Sequence, residues 1–346
     1  MASGTNGSEQ SSARLTLLPR SRINAPAWDA CVAASAQSIV YAYSWYLDAV
    51  LPAPDWQWMG IVAPDDAGGY RAVMPVPLRR KLVAGFTYRW VVHQPFFCQF
   101  LGVYGRDASP DVRPFWRVAQ ERFRYGSTFS VRPPLPDWAD FDAVRSPATH
   151  VLDLSVGYEA ICQNYNRDRK LNLRRAVAAD WTVVDSEDVE PLLNLFRDNH
   201  ADGIRGGVAE GAYVIFRRVF AALHERGLAT LRYARRAGRP EAGALFVTDV
   251  DRIIYLFNAA SEAGRRGNAR TLLIDQMIRE HAGRSTPDSP VWFDFESPEK
   301  PSIAAFYRSF GAVEEPFWTV RWNRLTWTER TLVSIRRAIK KASTGS

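Results

Sequence analysis

Apolar and polar positions along the chain mark out two successive sets of elements, and the second set repeats the order of the first. From Arg14 to Leu18 the pattern predicts a short strand, then helices over Ala27 to Ala34 and Tyr41 to Leu51. Strand-like runs follow at Trp56 to Val62, Tyr70 to Pro77, Tyr88 to Val92 and Gln99 to Tyr104. Ser109 is placed to cap a helix over Pro110 to Arg124, and Thr128 to Val131 reads as a strand. Pro133 to Pro147 holds four prolines and reads as a connector.

The second half is more legible. Ser155 opens a long basic helix to about Ala179, and Trp181 to Asp185 is a strand. Ser186 caps a helix through Leu192 to Asn199, and Ala209 to Arg226 is a helix closed by Gly227. Three hairpin strands come next: Ala229 to Arg235, Ala242 to Thr248 and Ile253 to Ala259. A helix from Asn268 or Ala269 to Glu280, a strand at Val291 to Glu296, a helix from Pro301 to Phe310 and a strand at Phe317 to Asn323 complete the set. The fold class is α/β in the broad sense (α+β): two tandem units, each a mixed, largely antiparallel sheet flanked by helices. The expected limits are a disordered tail at 1–13, a first unit at 14–150, a second at 151–325 and a basic C-terminal helix and tail at 326–346.

The length of 346 residues suits two such units better than one core. A hydrophobic share of 47% with 23% charged residues is that of a folded chain, which excludes a disordered or fibrous protein. No apolar run reaches the length of a membrane span. Three scattered cysteines, Cys31, Cys98 and Cys162, do not suggest a disulfide framework or a zinc site, and the first thirteen residues do not read as a signal peptide, so the cytoplasm is the expected compartment. The net charge of +7 is local. The segments Ile161 to Arg175 and Thr326 to Ser346 each carry net +4, more together than the whole chain, so the rest is near neutral. Dinucleotide, P-loop, zinc-protease and nucleophile-elbow motifs are missing, and the five histidines have no ligand spacing; no metal is expected.

Three segments carry candidate chemistry. Ser261 to Ala269 joins a strand to a helix, with Gly264, Arg265, Arg266, Gly267, Asn268 and Ala269 offering backbone N–H groups and charge to a phosphate; its other reading is an ordinary loop with solvated arginines. In Phe293-Asp294-Phe295-Glu296, strand alternation puts Asp294 and Glu296 on one face, as a base for an amine or as partners of nearby arginines. In Ala305 to Ala312, Tyr307 stands one turn before the helix stop Gly311, as a proton donor or as core. The basic positions Arg167, Lys170 and Arg174 share a helical face, which binds an anion or meets solvent. In the C-terminal segment Leu332, Ile335 and Ile339 line one side of a cationic amphipathic helix, which packs on the first unit or lies on an anionic membrane.

The element order of the second half, with G-R-R-G-N-A at Gly264 to Ala269 and A-x-x-Y-x-x-x-G ending at Gly311, resembles the GNAT acyltransferase superfamily. Two such halves, the basic helix and the closing FDFE…FYRSFGA resemble its tandem-domain, Fem-type peptidyltransferase group. The resemblance implies an N-acyltransferase that moves an acyl group from acyl-CoA to an amine by direct attack, in the cytoplasm or at the inner face of the membrane. It implies Glu296 or Asp294 as base and Tyr307 as acid to the leaving group. Backbone around Phe257, Asn258 and Ala259 is implied to hold the acyl carbonyl, and Gly264 to Ala269 the pyrophosphate. Arg167, Lys170, Arg174, Arg205, Tyr213 and Tyr255 are implied to border an anionic small-molecule or cell-envelope acceptor. Fem-type aminoacyl transferases, which use charged tRNA, usually carry Phe-Lys where this chain has Phe306-Tyr307. The remaining alternative is a non-catalytic binding module of the same fold. The tryptophan-rich first half lacks a donor loop and reads as a degenerate repeat.

Overall fold

The structure is a computed structural model that describes residues 15–331 apart from 84–85, 108–109, 133–138, 140, 205, 285–290 and 297–299. Fifteen strands are described. They are β1 (Thr16–Pro19), β2 (Trp56–Pro64), β3 (Tyr70–Val83), β4 (Phe86–His93), β5 (Tyr104–Gly105), β6 (Tyr125–Val131), β7 (Ala143–Arg145), β8 (Ala148–Asp153), β9 (Thr182–Asp185), β10 (Ala229–Arg236), β11 (Arg239–Asp249), β12 (Arg252–Ala260), β13 (Trp292–Asp294), β14 (Val313–Pro316) and β15 (Trp318–Asn323). They form two sheets, in the orders β1-β2-β3-β4-β6-β15-β7 and β14-β8-β13-β12-β11-β10-β9, with β5 on β3. Between named strands only β4–β6 and β12–β13 are parallel, so both sheets are mixed and largely antiparallel.

The helices are α1 (Ala25–Ala33), α2 (Ser44–Val50), α3 (Arg113–Arg122), α4 (Tyr158–Asn164), α5 (Arg167–Val177), α6 (Glu190–Asn199), α7 (Glu210–His224), α8 (Glu262–Arg266), α9 (Ala269–His281) and α10 (Pro301–Arg308). One face of the second sheet packs with α6 and α7 into a core continuous with that of the first unit. The other face forms a separate core with α4, α5, α9 and α10. Arg218 on α7 reinforces the first junction by donating to the carbonyls of Asp48 at 2.9 Å and Ala49 at 3.3 Å. No described helix is long and apolar enough to cross a membrane.

Several elements differ from the pattern. The long basic helix is two helices, because Asn166 caps α5 by accepting the Arg169 N–H at 2.8 Å and the chain is extended at Tyr165. The strand expected over Gln99 to Tyr104 is reduced to the Leu101–Val131 bridge and β5. The largest difference concerns the last strand. Element order places Phe317 to Asn323 with the second unit, yet β15 pairs with β6 and β7 in the first sheet, while β8, which straddles residue 150, belongs to the second. Trp322 explains the placement. Its buried indole lies over Gly126, where any Cβ would overlap the ring, and its Nε1–H donates to the Phe123 carbonyl at 2.7 Å. Of the C-terminal segment, residues beyond Thr331 lie outside the described residues, as does the tail before Leu15. Its described start meets the first unit, where Glu329 pairs with Arg89 and stands 3.7 Å from Arg124.

Trp322→Ala removes that anchor and opens a cavity; a loss of about 3–5 kcal/mol is expected. Chemical denaturation checks it, with Gly126→Ala expected to destabilise through the same contact.

Candidate functional site

The second sheet opens along the middle of β12. β12 and β13 run parallel over only three pairs, Arg252 to Ile254 with Trp292 to Asp294, and then part. On its other edge β12 carries a β-bulge: its register with β11 steps from Tyr255 to Phe257 and leaves Leu256 as the extra residue. A bulge puts two consecutive side chains on one face. Tyr255 therefore joins the core beneath α9 and α10, whereas Leu256 and Phe257 both face the first unit.

A buried ion network holds the base of this opening. Arg252 donates to Asp294 at 2.6 Å and to Glu315 at 3.0 and 3.1 Å, and Arg132, just past β6, donates to the same Glu315 at 2.9 Å. Asp294 also accepts from the Thr149 hydroxyl at 2.5 Å and from the Glu296 N–H at 2.9 Å. Burial opposes the Arg252 charge, but Asp294 and Glu315 outweigh it and hold its pKa above the ordinary value. Burial likewise opposes the Glu315 carboxylate, and Arg252 and Arg132 together hold its pKa below the usual range. Asp294 has no exposed side-chain surface and both oxygens are engaged. It is a structural anion, which corrects its candidacy as a base: the strand that was to carry both carboxylates on one face ends at Asp294.

Past that end, Glu296 takes a left-handed backbone (φ 48°), a conformation costing a non-glycine residue roughly 1–2 kcal/mol. The turn carries Glu296 out of the strand line to the first unit, where the Tyr41 hydroxyl donates to its carboxylate. Tyr41 is fully buried. Glu296 is half-buried and lines an open cleft of about 430 Å³ between the units, with Phe97, Cys98, Ser130, Leu256, Phe257 and Phe317. Burial pushes its pKa up to about 8, Asp294 adds to the rise, and the Tyr41 hydrogen bond works against it.

Tyr307 lies across β12 from that cleft. Its ring stacks on Phe295 at 4.6 Å and meets Tyr255 edge-on at 6.3 Å. Burial pushes both phenols up, and the nearby Arg270 works against the rise in each. Glu296 and Asp294 also act electrostatically on Tyr307. Arg270, in the first turn of α9, donates to Asn258 Oδ1 at 2.9 Å. The buried Tyr255 hydroxyl has no hydrogen-bond partner among the described residues, which leaves a polar atom open to a ligand. At the end of β12, the Ala260 N–H donates to His200 Nε2 at 3.2 Å, and burial lowers the His200 pKa, so a neutral imidazole accepts there.

The segment expected to cradle a pyrophosphate is not an open loop. Residues 262–266 are α8, capped by the Ser261 hydroxyl at the Gly264 N–H (3.0 Å). The N–H groups of Arg265, Gly267 and Asn268 donate to Ser261, Ala263 and Arg265 carbonyls. The two glycines serve close packing instead: a Cβ on Gly264 would overlap the Glu241 carbonyl, and one on Gly267 the Trp181 ring. Arg265 donates to the Ala260 carbonyl, and Arg266 pairs with Glu262. Ala269 is buried at the start of α9. These residues do not fit a backbone anion cradle.

Arg167, Lys170 and Arg174 share the exposed face of α5, on the side of the sheet away from the cleft, and Lys170 donates to the Gln163 carbonyl. The buried cation of that helix is Arg169, which stacks on Phe306 and Phe310 (4.2 and 4.5 Å) and donates to Ser309 and Thr271. Tyr213 is buried beside Phe196 and beneath the Arg197 guanidinium. Arg205 lies outside the described residues. Arg167, Lys170 and Arg174 thus do not assemble into an anion pocket with Tyr213. Sequence reasoning missed Tyr41, His200 and Arg270. Arg270 directly follows the quoted loop, whereas nothing local marks Tyr41 or His200. No group of three or more His, Cys, Asp or Glu side chains among the described residues could hold a metal ion.

Residues 163–288 match the family model described as acetyltransferase (GNAT) domain. That stretch of the chain is similar to a GNAT acetyltransferase domain. The crystal structure of FemX is similar over 88% of this chain and 96% of its own, with a TM-score of 0.61 at 14% identity. A tandem GNAT protein from the clavulanic acid biosynthesis pathway is similar over 89% of this chain and 98% of its own, with a TM-score of 0.50 at 13% identity. At such identities the likeness is one of fold, and that fold is tandem GNAT-like. No curated protein matches the chain.

Two substitutions test the structural assignments. Arg252→Met strands Asp294 without a counter-charge, and a loss of roughly 3–5 kcal/mol in unfolding free energy is expected. Gly264→Ala is expected to lower stability by at least about 1–3 kcal/mol through overpacking against β11. A Gly264→Ala protein with unchanged melting but weakened anion binding would restore the phosphate-loop reading.

Proposed function

We propose that the chain catalyses N-acyl transfer by direct attack of a primary amine on an activated acyl carbon, with the amine in the Glu296 cleft and the leaving group on the Tyr307 side. The observation that carries this reading is the division of acid and base across the opening of β12. Glu296, with its pKa near 8, takes the proton from the attacking ammonium, directly or through a water. The nitrogen lone pair then bonds the acyl carbon, and the carbonyl electrons move to oxygen. Backbone N–H groups around Phe257, Asn258 and Ala259 stabilise that oxyanion. On collapse, the bond to the leaving group breaks, Tyr307 protonates it, and the proton that the former amine nitrogen sheds on becoming an amide passes through solvent to restore the phenol. Tyr255 and Arg270 orient the donor beside Tyr307. No covalent enzyme intermediate forms.

The engaged N–H groups of 264–268 weigh against a donor held by its pyrophosphate in that segment. They favour, as a second donor class beside acyl-CoA, an aminoacyl ester of tRNA. Transfer from acetyl-CoA and from aminoacyl-tRNA, the latter abolished by ribonuclease, separates the two.

Glu296→Gln is expected to lower kcat by about 10²–10⁴-fold with KM little changed. Transfer that survives both Glu296→Gln and Tyr307→Phe would end the assignment of Glu296 as base and Tyr307 as acid. The rate should rise with pH through about 8 as Glu296 deprotonates. Tyr41→Phe removes a hydrogen bond that lowers the Glu296 pKa, so the midpoint should move to higher pH. The linked stability runs in the opposite direction. Because the fold favours the neutral acid, its contribution is intact below the unfolded glutamate range and is lost as pH rises through about 8.

A further inference from the structure

Beside the Glu296 cleft is a second cavity of about 240 Å³, bounded by α6, α7 and the first unit's Phe96–Phe97 turn. Phe97 and Phe257 line both spaces. None of the described residues that line the second cavity is charged. Its wall is a cluster of rings, with centroid distances of 4.4 Å for Phe216–Phe257, 4.9 Å for Phe196–Phe257 and 5.0 Å for Phe97–Phe216. Phe96 and Ile204 stand exposed on its lining.

Two separate backbone irregularities deliver the shared rings. The bulge at Leu256 turns Phe257 onto this face. Phe97 has a left-handed backbone (φ 55°), strained for a bulky residue, and the fully buried Tyr46 hydroxyl fixes it by donating to its carbonyl. Strain of this kind persists only where the surrounding structure imposes it, and it concentrates at ligand sites.

We propose that this cavity receives the apolar group of the acceptor: the substrate is a primary amine bearing an aromatic or branched alkyl substituent, its nitrogen at Glu296 and its substituent among Phe97, Phe196, Phe216 and Phe257. The proposal rests on the reading of Glu296 as the amine's base. An apolar cavity of about 150 Å³ accepts benzene, so the space here suits one ring with its linking carbon. The cavity is on the face of β12 opposite Tyr307, which assigns the substituent to the acceptor and not to the donor's acyl chain.

The test is calorimetric binding of glycinamide and phenylalaninamide to the full chain at pH 9, without donor. Burial of the ring is expected to make phenylalaninamide bind about 10- to 100-fold tighter. Ala212→Phe and Val208→Phe, which fill the cavity from its wall, should bring that ratio towards one. Equal affinities in the unsubstituted protein would overturn the proposal whether or not either variant folds. A preference that persists in folded filled variants would also overturn it. Because no turnover is needed, the two readings fail separately. Ring-dependent binding without any acyl transfer sinks the enzymatic reading alone, and transfer indifferent to amine size sinks the pocket alone.

Discussion

The pairing of Arg252 with Asp294 at the root of the β12–β13 opening is the contact on which the site geometry depends. Two parallel strands that separate after three pairs expose backbone groups in a protein interior, and something must fix where the separation begins. A buried cation with two carboxylate partners does so. Its reach through Glu315 to Arg132 ties the first sheet to the same point. The network contains two cations and two anions, so burial leaves no net charge to neutralise. Glu296, two residues past Asp294, inherits its position from that anchor because its own N–H is hydrogen-bonded to the Asp294 carboxylate.

From there the chemistry divides by face. The extra residue in β12 reverses which side chains look towards the first unit, so the adjacent positions Leu256 and Phe257 serve one core and Tyr255 the other. One side holds phenols and a guanidinium in an apolar setting. The other holds a desolvated carboxylate above a ring-lined cavity. The first unit is part of this arrangement: Tyr41 reaches Glu296, and Phe97 completes the cavity.

Element order and the FDFE…FYRSFGA stretch made the second sheet, Glu296 and Tyr307 legible, because hydrophobic period and helix stops are local signals. Contacts made across the chain left no such signal. Tyr41 is one aromatic residue among many until the fold brings it to Glu296. Arg167, Lys170 and Arg174 were grouped correctly as a helical face, but that spacing cannot say whether a charged face meets ligand or solvent; the buried Arg169 lies off it. The glycines of 264–267 were read as freedom for an anion, whereas both are needed for close approach of neighbouring atoms. The alternation that put Asp294 and Glu296 together failed because the strand stops between them.

The placement of β15 has a consequence for how the protein comes into being. The strand lies between β6 and β7, yet every strand of the second sheet stands between it and them in sequence. The first sheet stays incomplete, with β6 open along one edge, until that unit and β15 have both been made. An open edge of that kind recruits other strands. The chain therefore passes through a second core before β15 closes the first sheet.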